Sequence, residues 1–111
     1  MSRDRVIYNL GSIERVPLGE GRAFRVEDTM IAIFRTRNNE VFATQATCPH
    51  KGGPLADGIL GDGKIICPLH TYKFKLATGE ALGHTCGTLK TYPVSLDEDG
   101  NVLLYLRSND I

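Results

Sequence analysis

Short runs rich in Val, Ile, Phe, Tyr and Thr recur along the chain at residues 6–10, 23–27, 31–34, 41–45, 64–66, 89–94 and 102–106. Turn-forming clusters punctuate them: Gly19-Glu20-Gly21, Asn38-Asn39, Gly61-Asp62-Gly63, Thr78-Gly79-Glu80 and Asp99-Gly100-Asn101. β-branched and aromatic side chains suit a pleated, half-buried surface, and no segment carries a long helical period, so the pattern predicts an all-β fold. Asn38-Asn39 predicts a tight hairpin because Asn tolerates positive φ, and Gly100 serves the last hairpin in the same way. A further hairpin is expected over residues 59–66, turning at Gly61-Asp62-Gly63. Ser12 is placed to cap a brief helical turn that Pro17 stops. The chain shows no internal repeat, low-complexity tract or linker.

At 111 residues the chain fits one small domain, with a modest core and no room for a separate catalytic domain. Thirteen basic and thirteen acidic side chains cancel, which leaves neither nucleic acid nor an acidic membrane surface an electrostatic footprint. No run approaches the roughly eighteen apolar residues of a membrane span, and Met1-Ser2-Arg3-Asp4-Arg5 leads into a polar-interrupted segment unlike a signal-peptide core. The expectation is a soluble, cytoplasmic protein. Three cysteines is an odd number, which also favours a reducing compartment over a disulfide framework.

Two of those cysteines stand in short pairs with histidine, Cys48-Pro49-His50 and Cys67-Pro68-Leu69-His70, giving C-x-H-x16-C-x2-H. Two thiolates and two imidazoles form a complete ligand set for zinc or for a two-iron cluster. The C-x-H spacing is unusual for a zinc finger, and no amphipathic helix follows to carry a histidine pair, so iron is the better fit and a zinc-stapled interaction module the rival. Convergence from two loops demands sharp turns: Pro49 and Pro68 each follow a cysteine and fix φ, and Gly52-Gly53-Pro54 follows the first pair. His84 and Cys86 lie near each other but are read as a loop histidine and a half-buried thiol without a role.

With a proline after each cysteine, the pattern resembles the Rieske-type [2Fe–2S] domain. The resemblance extends to CPHKGGPL (48–55), CPLH (67–70), FKLATGEAL (74–82) and LKTYPV (89–94), about half the chain. It implies a Rieske [2Fe–2S] cluster with Cys48 and Cys67 on one iron and His50 and His70 on the other. It also implies an antiparallel β-sandwich or barrel base, formed by residues 1–45 and 85–111, with a small cluster-binding subdomain of two ligand loops at about 46–84. The implied work is one-electron transfer to or from a partner protein, with no catalytic residue in the chain itself.

Among small members of that family the chain looks most like the small subunit of NAD(P)H-dependent assimilatory nitrite reductase, whose redox partner is a large flavo-sirohaem subunit. The alternative is a stand-alone Rieske ferredoxin serving the reductase and oxygenase of a ring-hydroxylating system. High-potential members place a serine and a tyrosine two and four residues after the second histidine, where this chain has Tyr72 and Phe74, and an extra disulfide at the positions of Gly53 and Leu69. Those departures imply a low potential. Lys51, Lys64, Lys73 and Lys75 read equally as a docking surface for an acidic partner and as a solvated face, and family members often have Asp where Lys75 stands. Leu55 and Leu69 are expected to shield the centre or to form an apolar tip.

Overall fold

The computed structural model describes residues 5–49, 53–68, 72–83, 87–107 and 110. Its strands are β1 (Arg5–Ser12), β2 (Glu20–Val26), β3 (Thr29–Arg35), β4 (Val41–Gln45), β5 (Ile59–Gly61), β6 (Lys64–Ile66), β7 (Lys73–Lys75), β8 (Ala81–Leu82), β9 (Thr91–Tyr92), β10 (Val94–Leu96) and β11 (Asn101–Arg107). Two 3₁₀ turns, Ile13–Arg15 and Leu55–Asp57, are the helical pieces among the described residues. The strands form three antiparallel sheets ordered β1-β11-β10, β2-β3-β4-β9 and β5-β6-β7-β8. The all-β, antiparallel architecture is the one the hydrophobic runs predict.

β3 is the wall that the molecule shares. Five consecutive residues, Ile31 to Arg35, are buried, and successive side chains on a strand point to opposite faces. Ile31 and Ile33 join Val16, Val26, Ala43, Tyr92, Val102, Leu104 and Leu106 in the core between the first two sheets. Ala32 and Phe34 join Leu55, Ile65, Phe74, Leu76 and Leu89 beneath the third sheet. A strand buried on both faces reads in sequence as a continuous apolar run, as residues 31–34 do. Each of Ile31, Ile33 and Phe34 contributes about 1.5–3 kcal/mol by burial.

Arg35 ends that run and is itself 8% exposed. Its guanidinium donates to the carbonyl of Val16 at 3.1 Å, to that of Ile13 at 3.5 Å and to Asn39 Oδ1 at 2.8 Å, and lies 3.6 Å from the Glu14 carboxylate. It thereby pins the first 3₁₀ turn against the sheet. Ser12 caps that turn by accepting from the Glu14 amide at 3.0 Å, as its position in the sequence predicts.

Turn chemistry fixes the registers. Gly61 pairs with Lys64 across a two-residue turn in which Asp62 (φ 54°) and Gly63 (φ 70°) are both left-handed, the geometry that matches strand twist. The β3–β4 connection is longer than a two-residue turn: Thr36 and Glu40 close it, and Asn39 supplies the left-handed position (φ 65°). Gly100 (φ 79°) does the same between β10 and β11. β2 stops at Val26, one residue earlier than its run, because Glu27 takes a left-handed turn position (φ 57°). The run at 89–94 is not one strand. Pro93 has no N–H for the ladder, and there the chain leaves β4 and crosses to pair with β11.

Candidate metal centre

Cys48 follows β4 and Cys67 follows β6, and each sits at the base of a loop closed by the same backbone bond. The Cys48 amide donates to the Gly53 carbonyl at 2.8 Å, and the Cys67 amide donates to the Tyr72 carbonyl at 2.7 Å. One residue further out, Thr47 bridges Pro54 and Ile66 pairs with Lys73. Two different sequences, CPHKGG and CPLHTY, are thus pinched at equivalent points, five residues apart, with a proline immediately after the cysteine in each.

Both cysteines are buried, 2% and 1% exposed, in the core that Phe34, Leu55, Ile65 and Phe74 line. A buried thiolate in such surroundings is costly unless a cation neutralises it, and iron or zinc binds the thiolate form. The donors and their setting therefore fit a metal centre anchored on sulfur. Among the described residues no group of three or more His, Cys, Asp or Glu side chains converges to hold a metal. His50, His70, Leu69, Lys51, His84 and Cys86 lie outside the described residues.

Of the two places expected for Leu55, the structure gives the shielding one. It is fully buried in the thiol core and does not form an apolar tip, because the 3₁₀ turn at Leu55–Asp57 folds it under Phe34 and against β2 and β3. Thr47 and Pro49 on either side of Cys48 and Pro68 after Cys67 are exposed, as is Pro54, which bridges Thr47.

Several supports have no signature in the sequence. The Gln45 side chain donates to the Thr47 carbonyl at 2.7 Å and accepts from the Lys90 amide at 2.7 Å, tying the base of the first loop to the segment that leads into β9. A hydrogen bond to Asp110, 2.8 Å away, raises the pKa of the Lys90 ammonium and keeps it charged. A Cβ on Gly58 would lie 2.2 Å from the Ile66 carbonyl, and one on Gly79 2.1 Å from that of Leu89, so at both points backbone packs directly on backbone. Gly87 packs near Pro49 in the same region. Only the glycines themselves hint at this in the sequence.

Known proteins share this fold. The Rieske [2Fe–2S] domain model matches residues 6–93. The 3-phenylpropionate/cinnamic acid dioxygenase ferredoxin subunit of Photorhabdus laumondii is 40% identical over 96 residues, 84% of this chain and 88% of that protein. A Mycobacterium tuberculosis structure described as an NADH-dependent nitrite reductase small subunit superposes with a TM-score of 0.84 over 92% of this chain and 96% of the other, at 21% identity, which shows the shared fold. A second structure, described as the small subunit of an NADPH nitrite reductase, gives a TM-score of 0.80 at 25% identity over 89% and 97% of the two chains. The chain belongs to the Rieske [2Fe–2S] domain family and is an electron-transfer ferredoxin with a Rieske-type [2Fe–2S] cluster.

Proposed function

We propose that this ferredoxin delivers single electrons to the oxygenase of a ring-hydroxylating system, with its cluster held by Cys48 and Cys67 on one iron and His50 and His70 on the other. The observation that carries the ligand assignment is the pair of buried thiols at the bases of two identically pinched loops. The loops at residues 46–84 act as a cluster-binding subdomain on a base formed by 1–45 and 85–111. When bound, the cluster takes up and gives back one electron at a potential the protein tunes. The chain's own residues do the rest. Cys48 and Cys67 supply the buried negative charge, the i to i+5 backbone bonds hold the loops closed, and Leu55, Phe74 and Leu89 exclude water beneath them. A reducing, cytoplasmic setting keeps both thiols available to metal.

The oxygenase partner is supported by the 40% identity to the Photorhabdus dioxygenase ferredoxin subunit. A second reading, the small subunit of an NAD(P)H nitrite reductase, is favoured by the Leu89-Lys90-Thr91-Tyr92-Pro93-Val94 segment and by the 25% identical structure of that description. The potential is low on either reading: Phe74, where high-potential relatives carry tyrosine, is a fully buried ring with no O–H to offer the sulfur atoms.

The test has two parts. Anaerobically reduced protein is expected to show a rhombic EPR signal averaging below the free-electron value, lost in His50→Ala and His70→Ala; its absence from the unaltered protein would reject the cluster assignment. Reduced protein is then mixed with a purified ring-hydroxylating oxygenase and with a flavo-sirohaem nitrite reductase subunit. Fast transfer to the oxygenase supports the first reading. A stable complex with the sirohaem protein and no transfer to the oxygenase would replace it by the second.

A further inference from the structure

The sheet β5-β6-β7-β8 turns two unlike faces to its surroundings. In register, Leu60, Ile65, Phe74 and Ala81 form the row that packs into the thiol core. The adjacent row, Ile59, Ile66, Lys73 and Leu82, points the other way. Ile59 is 69% exposed, more than any other large apolar side chain among the described residues. It lies directly across from Ile66, the residue before Cys67, so this row, apolar but for Lys73, runs up to the base of the second candidate ligand loop.

The next outward row is Gly61, Lys64 and Lys75. Lys64 sits directly opposite Lys75, a like-charge pairing that disfavours the sheet. Glu80, 3.6 Å from the Lys75 ammonium, offsets one of these charges, but both members of that pair are more than half exposed, where solvent screens the attraction. No carboxylate pairs with Lys64 among the described residues. The outward rows of these strands carry Lys64, Lys73 and Lys75 and no carboxylate, a local asymmetry in a chain that is neutral as a whole, with Asp62 in the adjoining turn, Ile59 beside them and Lys64 three residues from a candidate iron ligand.

We propose that this face, Ile59 and Ile66 flanked by Lys64 and Lys75, docks an acidic surface of the redox partner, carboxylates meeting the lysines and an apolar recess receiving Ile59. The proposal rests on the electron-carrier role and deepens it by stating the partner's chemistry. Charge complementarity of this kind steers encounter, and an exposed apolar anchor gives the encounter complex area to bury.

The test uses the holoprotein and two redox proteins of opposite charge: reduced flavodoxin, which is acidic, donating one electron to the oxidised ferredoxin, and oxidised cytochrome c, which is basic, accepting one electron from the reduced ferredoxin. The flavodoxin rate should fall with added salt, and the Lys64→Glu/Lys75→Glu pair should lower it by roughly tenfold while raising the cytochrome c rate. Lys64→Gln/Lys75→Gln should fall between. Ile59→Ser should slow the flavodoxin reaction without changing its salt slope. All variants should keep the visible and EPR spectra of the unaltered protein. Rates that ignore these substitutions, in variants with intact spectra, overturn the docking face alone. Unaltered protein that exchanges no electron with either probe overturns the carrier role and this proposal together. A dimer that Ile59→Ser dissociates in sedimentation would give the face to a second copy and overturn the acidic partner.

Discussion

Gly58 precedes β5 and Gly61, three residues on, ends it, and replacing each by alanine should move stability in opposite directions. A Cβ at Gly58 would sit 2.2 Å from the Ile66 carbonyl oxygen and 3.1 Å from Ile65 Cδ1. To accommodate it the carbonyl must retreat to at least 3.0 Å, carrying with it the backbone that leads into Cys67. Overpacking of this kind costs roughly 1–3 kcal/mol, and here the obstacle is backbone, so about 3 kcal/mol is expected. That is a large share of the roughly 5–15 kcal/mol that holds a domain of this size folded. At Gly61 nothing lies within 4 Å of the added carbon and φ is not positive, so alanine should stabilise by about 0.5 kcal/mol through the unfolded chain. Urea titration of the holoprotein, followed by far-ultraviolet circular dichroism and by visible absorbance, reads both. For Gly58→Ala the midpoint should drop by about 1–2 M, and cluster absorbance should bleach earlier than in the unaltered protein. A Gly58→Ala midpoint within about 0.3 M of the unaltered protein would refute the claim that backbone contact at this point positions the second cysteine.

Arg35→Ala should cost about 2 kcal/mol in urea unfolding, because it strands the Val16 carbonyl under the first 3₁₀ turn, while the Ile13 carbonyl keeps the Val16 amide at 2.9 Å, and Arg35→Lys should recover less than half of that. Asp97 accepts from the Asn101 amide, from the Asn101 side chain and from the Asp99 amide, and these bonds hold its carboxyl below the usual carboxylate pKa. A depressed folded-state pKa means the contribution is fully present above about pH 4 and lost as pH falls through the folded value. The stability gap between the unaltered protein and Asp97→Asn should therefore be constant near neutrality and close in acid; a gap that widened in acid would contradict the bonding. Protein-film voltammetry should place the midpoint toward the negative end of the roughly −150 to +300 mV Rieske range, and a value above about +100 mV would contradict the role given to Phe74.

What the sequence made legible is what depends on local chemistry. The unbroken run at Ile31-Ala32-Ile33-Phe34 announces a strand with two buried faces, Asp62-Gly63 announces a tight hairpin, and the paired Cys-Pro steps announce two sharply closed loops. What it hid depends on partners distant in the chain. β7 and β8 are three and two residues long and exist because β6 pairs with β7 and β7 in turn with β8, not because Lys73-Phe74-Lys75 or Ala81-Leu82 carries strand propensity. The burial of Leu55 follows from a 3₁₀ turn packing on Phe34, and the burial of Arg35 from carbonyls some twenty residues earlier. The Gln45 side chain joins Thr47 to Lys90, which lies 45 residues after Gln45 itself, and no spacing rule anticipates it.

The double burial of β3 also settles where the centre can sit along the chain. A slip of one residue would exchange its two sets of side chains, sending Ala32 and Phe34 into the base and Ile31 and Ile33 among the thiols, so neither interior would fill correctly. β4 is in register with β3 from Arg35 against Val41 to Ile31 against Gln45, and Cys48 follows three residues beyond that last pair. The height of the first thiol above the base is thus metered by two interiors at once.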